Sequence, residues 1–145
     1  MEVYKNKLIM LKEKSYTYNK KISCSQIVAD FIRNIIQIQN EPEEVLYLLG
    51  LDAKNNLIGF VEVGRGTIDG VQTTPREILK RALLMNCAKI ILTHNHPSGD
   101  SIPSKCDYEM TKKVEEISNI LNIQLLDHVV IGEKENYSIV ANRKV

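Results

Sequence analysis

The apolar run Ile90-Ile91-Leu92, which leads directly into His94-Asn95-His96, limits the fold of this chain more than any other stretch. It is short and rich in β-branched residues, and a polar break precedes it, which suits a buried strand better than a helix. Upstream, Thr74-Pro75-Arg76-Glu77 combines a Thr N-cap, Pro at the first helical position and Glu at the third, a helix start. That helix carries Ile78, Leu79, Ala82 and Leu83 on one side. A helix followed at once by a buried strand requires a sheet covered by helices.

The remaining segments fit that scheme. Residues 3–18 read as extended structure, with Tyr4, Leu8, Met10, Tyr16 and Tyr18 partly alternating with polar residues. From Ile27 the apolar positions Val28, Phe31, Ile32, Ile35 and Ile38 follow at helical spacing, and Ser23 with Gln26 forms a Ser-x-x-Gln capping pattern in front. Val45 to Leu51 and Leu57 to Val63 are apolar runs joined by the turn-rich Asp52-Ala53-Lys54-Asn55-Asn56, a β-hairpin. A third helix is expected from Lys105 to Leu121 with Met110, Val114, Ile117 and Leu121 on one face. Strands follow near Ile123 to Ile131 and Tyr137 to Val140. Helices and strands alternate irregularly with at least one hairpin, so the expected class is α/β, a three-layer-like sandwich with a central mixed sheet flanked by helices. At 145 residues the chain reads as a single domain over 1–145. That length excludes a (β/α)₈ barrel, and three helices disfavour a cupin.

Charge and cysteine content narrow the setting. The net charge is +1, giving no overall attraction to nucleic acid. Residues 1–21 hold six lysines against Glu2 and Glu13, a basic extended arm without an aromatic stacking platform, read as a solvated edge. No apolar run approaches the ~20 residues that cross a bilayer, and Met1 to Lys14 lacks the pattern of a secretory signal, so no membrane partner and a cytoplasmic location are expected. Cys24, Cys87 and Cys106 are odd in number and widely spaced, which suits reduced thiols.

The chemistry is concentrated around the histidines. In a strand, His94 and His96 point to the same face and can share one metal ion. A catalytic zinc usually has three protein ligands and leaves one position open. Asp107, at the start of the third helix after a loop with two prolines and a glycine, would complete the set. Ser104-x-x-Asp107 also matches an ordinary helix capping box. Read singly, each of these residues suits a structural role better; their conjunction in one segment favours a metal site.

The string His94-Asn95-His96-Pro97, then Ser104-Lys105-Cys106-Asp107, resembles the His-x-His-Pro…Ser-x-x-Asp signature of the JAB/MPN metalloprotease family, also called JAMM. With Thr93 to Gly99, Thr74 to Glu77 and Leu126 to Gly132, the likeness is to the RadC branch and extends over residues 24–142. The resemblance implies the JAB/MPN, cytidine-deaminase-like fold and Zn²⁺ held by His94, His96 and Asp107. It implies Ser104 as hydrogen-bond donor to the oxyanion and Glu44, ahead of Val45 to Leu49, as general base. Glu41 and Glu43 lie close enough for a one-residue slip to exchange the candidates; Glu62, mid-strand, reads as structural.

The implied activity is that of a zinc metallopeptidase or isopeptidase, a hydrolase cleaving an amide bond of a peptide or protein substrate with a metal-activated water. Cys106 reads as a small helix residue. Asp127-His128 supports either the sheet or the metal-binding histidines. Gly64 to Gly70, with Arg65, reads as an exposed loop that a mobile flap beside the site would also fit. Complete RadC-like proteins carry a helix-hairpin-helix-like region, which the first 44 residues do not match, so a DNA-repair role has little support. Two alternatives remain: a non-catalytic metal-binding interaction module, and a metal-dependent nuclease using Lys105, Lys112 and Lys113.

Overall fold

β1 (Val45–Leu51) is almost wholly buried, as a strand at the middle of a covered sheet must be. It pairs antiparallel with β2 (Leu57–Arg65) on one side and with β3 (Lys89–Asn95) on the other. β3 runs parallel to β4 (Gln124–Ile131), which pairs antiparallel with β5 (Asn136–Ser138), and β5 with β6 (Arg143–Lys144). The result is a mixed six-stranded sheet ordered β2-β1-β3-β4-β5-β6. This is the computed structural model of the chain, and it describes residues 1–7, 9–66 and 73–145.

The hairpin between β1 and β2 turns because Asp52 organises it. Its carboxylate accepts from the backbone N–H of Lys54 and Asn56, both at 2.8 Å, and from the Asn56 side chain at 2.7 Å. Asn55 takes the left-handed conformation there, which asparagine tolerates.

Helices cover both faces. α2 (Pro75–Leu84) starts as its sequence predicts, with the Thr74 hydroxyl accepting from the Glu77 N–H. It packs with α3 (Lys105–Ile120) over one core built on Leu46, Leu48, Ile78, Ala82, Leu92 and Val114. α1 (Ser25–Phe31) continues into a π-helical turn (Ile32–Ile36) and a 3₁₀ turn (Ile38–Asn40). It covers the opposite face over Phe31, Ile32, Leu49, Leu51, Ile91 and Val129. The α/β class with a central mixed sheet is therefore as expected.

Several local expectations differ. Ser23 does not cap α1: the N-cap is Cys24 with no side-chain bond, and Ser25 instead donates to the buried Asp127 carboxylate of β4 at 2.7 Å. Leu83, Ile117 and Leu121 lie exposed, while Thr111, Val114 and Ser118 form the buried face of α3. The helix is turned so that Thr111 meets His128 of the sheet. Residues 1–7 and 9–23 join no strand; Tyr18 and Ile22 pack inward, Tyr18 edge-on to Phe31, and the more exposed Tyr16 leans on Phe60. Gly64 and Arg65 belong to β2, and residues 67–70 of the expected loop or flap lie outside the described residues. β6 has no counterpart in the sequence reading. Among the described residues no helix is long and apolar enough to cross a membrane.

Candidate metal centre

The C-terminal end of β3 carries His94, buried, and just beyond it His96, partly buried. Alternation along the strand sends both rings to the α3 side, and their Nε2 atoms lie 3.0 Å apart. Asp107, in the first turn of α3, projects its carboxylate toward them, with Oδ1 3.4 Å from His94 Nε2 and Oδ2 3.6 Å from His96 Nε2. Glu44 immediately precedes β1. Its carboxylate joins the other three so that all four ligand atoms fall within 4.8 Å of one another.

Register decides between the neighbouring glutamates. Leu46 sits opposite His94, so Glu44, two residues earlier, shares the face of the imidazoles while Glu43 is turned away. Glu41 instead meets the Arg65 guanidinium at 2.5 Å, which, together with the charge it brings, lowers the Glu41 pKa against the opposing effect of burial. Glu62 bonds the same Arg65 and faces Tyr47 on the other side of the sheet. Arg65 is thus engaged by two carboxylates.

The residue between the histidines was not singled out by sequence reasoning. Asn95 points to the opposite face, where its carbonyl accepts from Val45 N–H at 2.8 Å and its amide donates to the Glu43 carbonyl at 2.9 Å. These bonds hold the backbone on either side of Glu44, and the Glu44 carbonyl accepts from Gly66 N–H at 2.9 Å. The base candidate is therefore placed by strand pairing on one side and by the loop after β2 on the other.

Ser104 and Asp107 form a complete capping box. Ser104 N–H and Oγ–H both donate to Asp107 Oδ2 at 2.7 Å, and Asp107 N–H donates back to Ser104 Oγ at 3.2 Å. The structural and the metal readings of this pair hold together, because Oδ1 stays free of the cap and directed at His94, while Oδ2 lies toward His96 as well as the cap. Burial acts to raise the Asp107 pKa, but its bonds to His94, His96 and Ser104 outweigh that and hold it far below the usual carboxylate range.

The loop to α3 is pinned by two glycines. His96 O accepts from Gly99 N–H at 2.9 Å, closing a turn in which Gly99 has φ +84°, a value that L side chains adopt only under strain. Gly132 passes so close that an added Cβ would lie 2.6 Å from the Gly99 carbonyl. The loop thereby brings Asp100 O to 2.7 Å from His96 Nδ1. On the other side, His94 Nδ1 lies 2.8 Å from Nε2 of buried His128, whose Nδ1 is 2.6 Å from the Thr111 hydroxyl. Asp127 does not reach the site; it ties Ser25, Ser138 and the His128 N–H together. Thr111, His128 and Asp100 complete the surroundings, and only His128 carried a sequence signal, a histidine in an apolar strand.

These groups fit a divalent cation. A carbonyl only accepts, so His96 Nδ1 carries the hydrogen and a neutral ring turns a bare Nε2 toward His94 and Asp107. Asp107, opposed by burial, raises the His96 pKa, so a proton and a cation compete for the same lone pairs. Two imidazole nitrogens, two carboxylates and an exposed approach are a donor set suited to zinc.

A mixed sheet covered on both faces, with paired histidines closing one strand and an aspartate opening the next helix, defines the JAB class of metal-site domains. Residues 22–145 match the family model for the RadC-like JAB domain, and the chain belongs to that family. It is 40% identical over 114 residues to a UPF0758 protein of Azotobacter vinelandii, covering 79% of this chain and 50% of that one. It is likewise 40% identical over 118 residues to a UPF0758 protein of Cellvibrio japonicus (81% and 52%), and 42% identical over 104 residues to one of Nitrosococcus oceani (72% and 46%). The chain spans about half the length of these curated relatives.

Proposed function

We propose that this domain is a zinc-dependent peptidase or isopeptidase of the JAMM type, acting on an amide bond of a peptide or protein. The observation that carries the reading is the reach of Glu44 into the group formed by His94, His96 and Asp107. With the ion held by the other three, the Glu44 carboxylate, brought in from the residue just before β1, would stand beside the position left for water, as a catalytic site requires and a closed four-ligand site does not.

Zinc bound there would supply Lewis acidity to the carbonyl and to water. His94, His96 and Asp107 would hold the ion. Glu44 accepts a proton from the attacking water and returns it to the leaving amine, a role worth about 10²–10⁴ in rate. Ser104 serves as oxyanion donor, which requires its single hydroxyl hydrogen to leave Asp107 Oδ2 as charge develops on the substrate. An open cleft bounded by Gln39, Glu41, Pro42, Pro97 and Gly132 borders His96 and gives the substrate an approach. Three unpaired cysteines support a reducing, cytoplasmic setting for this work.

The test is digestion of an unbiased peptide library by zinc-loaded protein, with bound zinc quantified in parallel. Glu44→Gln is expected to keep its zinc and lose about 10²–10⁴ of the cleavage rate. Undiminished cleavage in that variant would remove Glu44 from the chemistry.

A further inference from the structure

We infer that His128, oriented by Thr111, is a positioning residue that fixes His94 in the tautomer presenting Nε2 to the cation. The inference rests on the metal site proposed above and concerns residues two shells from the ion.

The chain of contacts runs His94 Nδ1 to His128 Nε2 at 2.8 Å, His128 Nδ1 to Thr111 Oγ1 at 2.6 Å, and Thr111 Oγ1 to the Asp107 carbonyl at 2.6 Å. Taken alone, two imidazoles in contact can be protonated in either of two directions. In one, His128 donates to His94 Nδ1 and leaves a hydrogen on His94 Nε2, pointing at His96 and blocking the ion. In the other, His94 Nδ1 donates to His128 and Nε2 is bare.

The far end of the chain breaks the tie. The Asp107 carbonyl can only accept, so the single hydroxyl hydrogen of Thr111 is directed to it across one helical turn. Thr111 then has only lone pairs to offer His128, and His128 Nδ1 carries the hydrogen. His128 is buried, and its two ring nitrogens meet only the Thr111 hydroxyl and His94 Nδ1, so with the hydrogen on Nδ1 the ring turns a bare Nε2 to His94. That nitrogen accepts from His94 Nδ1. The direction of every hydrogen in the chain thus follows from one backbone carbonyl, and that carbonyl belongs to the residue whose carboxylate is itself a proposed ligand.

His96 is set in the same sense by a carbonyl directly, Asp100 O. The two ligands therefore reach the same protonation state by different routes, and only the His94 route passes through side chains that substitution can interrupt. Outer partners of ligating histidines generally contribute about 10–100-fold in metal affinity.

Thr111→Val keeps the shape of the buried side chain and removes the hydroxyl. Zinc affinity of the full chain, measured by competition with a chromophoric chelator, is expected to fall about 10–100-fold in this variant and to return to within a few-fold in Thr111→Ser. Wild-type affinity in Thr111→Val would overturn the inference. Long-range ¹H–¹⁵N correlation of the imidazoles in metal-free wild-type protein supplies a second readout independent of the ion. His128 is expected with its hydrogen on Nδ1 and a bare Nε2; a hydrogen on Nε2 would overturn the inference. Failure of the wild-type protein to take up zinc would instead count against the proposed function, and the imidazole spectrum would still decide the direction of the relay.

Discussion

Ser104 and Asp107 show how one pair of side chains serves two ends. The bonds that close the first turn of α3 also fix the rotamer of Asp107, so that Oδ2 accepts the cap bonds while still lying toward His96 and Oδ1 is left free toward His94. Ser104→Ala should accordingly lose about 1 kcal/mol of folding stability, the usual worth of an N-cap, in urea titration. The same variant should bind zinc less tightly, because Asp107 is freed to rotate; Ser104→Thr should restore both. A stability loss with unchanged zinc affinity would show that the cap and the ligand are independent. At this scale the sequence was informative wherever the chemistry lies in one contiguous segment, as for His94, His96 and Asp107. It was uninformative where a partner is supplied by another element or by the backbone: His128 comes from β4 and Thr111 from α3, Asp100 contributes a carbonyl that any residue would carry, and Asn95 acts through the backbone of residues some fifty positions away.

Among the elements, the hairpin β1–β2 and the start of α2 follow directly from local signals, since turn residues and caps act over a few positions. The faces of the helices do not. Periodicity marks a stripe, yet α3 buries Thr111 and Ser118 alongside Val114 and exposes Ile117, with Leu121 exposed at its C-cap. The end of the first helical segment was likewise hidden. Gln37 closes it with φ 62° and ψ 35°, the left-handed conformation that a non-glycine residue occupies at a cost. Its side chain is exposed and, among the described residues, makes no hydrogen bond that glycine would forfeit. Gln37→Gly is therefore expected to stabilise the protein by about 0.5–1 kcal/mol, read as a rise in the denaturation midpoint. A lowered midpoint would show that this backbone conformation is not the one adopted.

At the scale of the whole molecule, the proposed metal centre joins the beginning of β1, the end of β3 and the head of α3, three pieces brought together from separate parts of the chain. An ion bound there favours the folded state over any state in which those pieces part. Zinc at a hundredfold excess over its dissociation constant should add about 2.7 kcal/mol of stability, seen as a raised Tm that a chelator reverses. His96→Ala should abolish that rise, and a Tm indifferent to zinc in the wild-type protein would contradict the site. The sequence by itself determined the class of fold, the order of its principal elements and the compact ligand motif, because hydrophobic period, turn chemistry and capping are local properties of neighbouring residues. Tertiary structure alone decided that Ser25 turns to Asp127 and that Thr111 and His128 stand behind His94, and it supplied the register that puts Glu44, the glutamate the resemblance implied, on the face of the imidazoles. Each of those outcomes depends on strand register or helix rotation, which are fixed by packing between segments far apart in the chain.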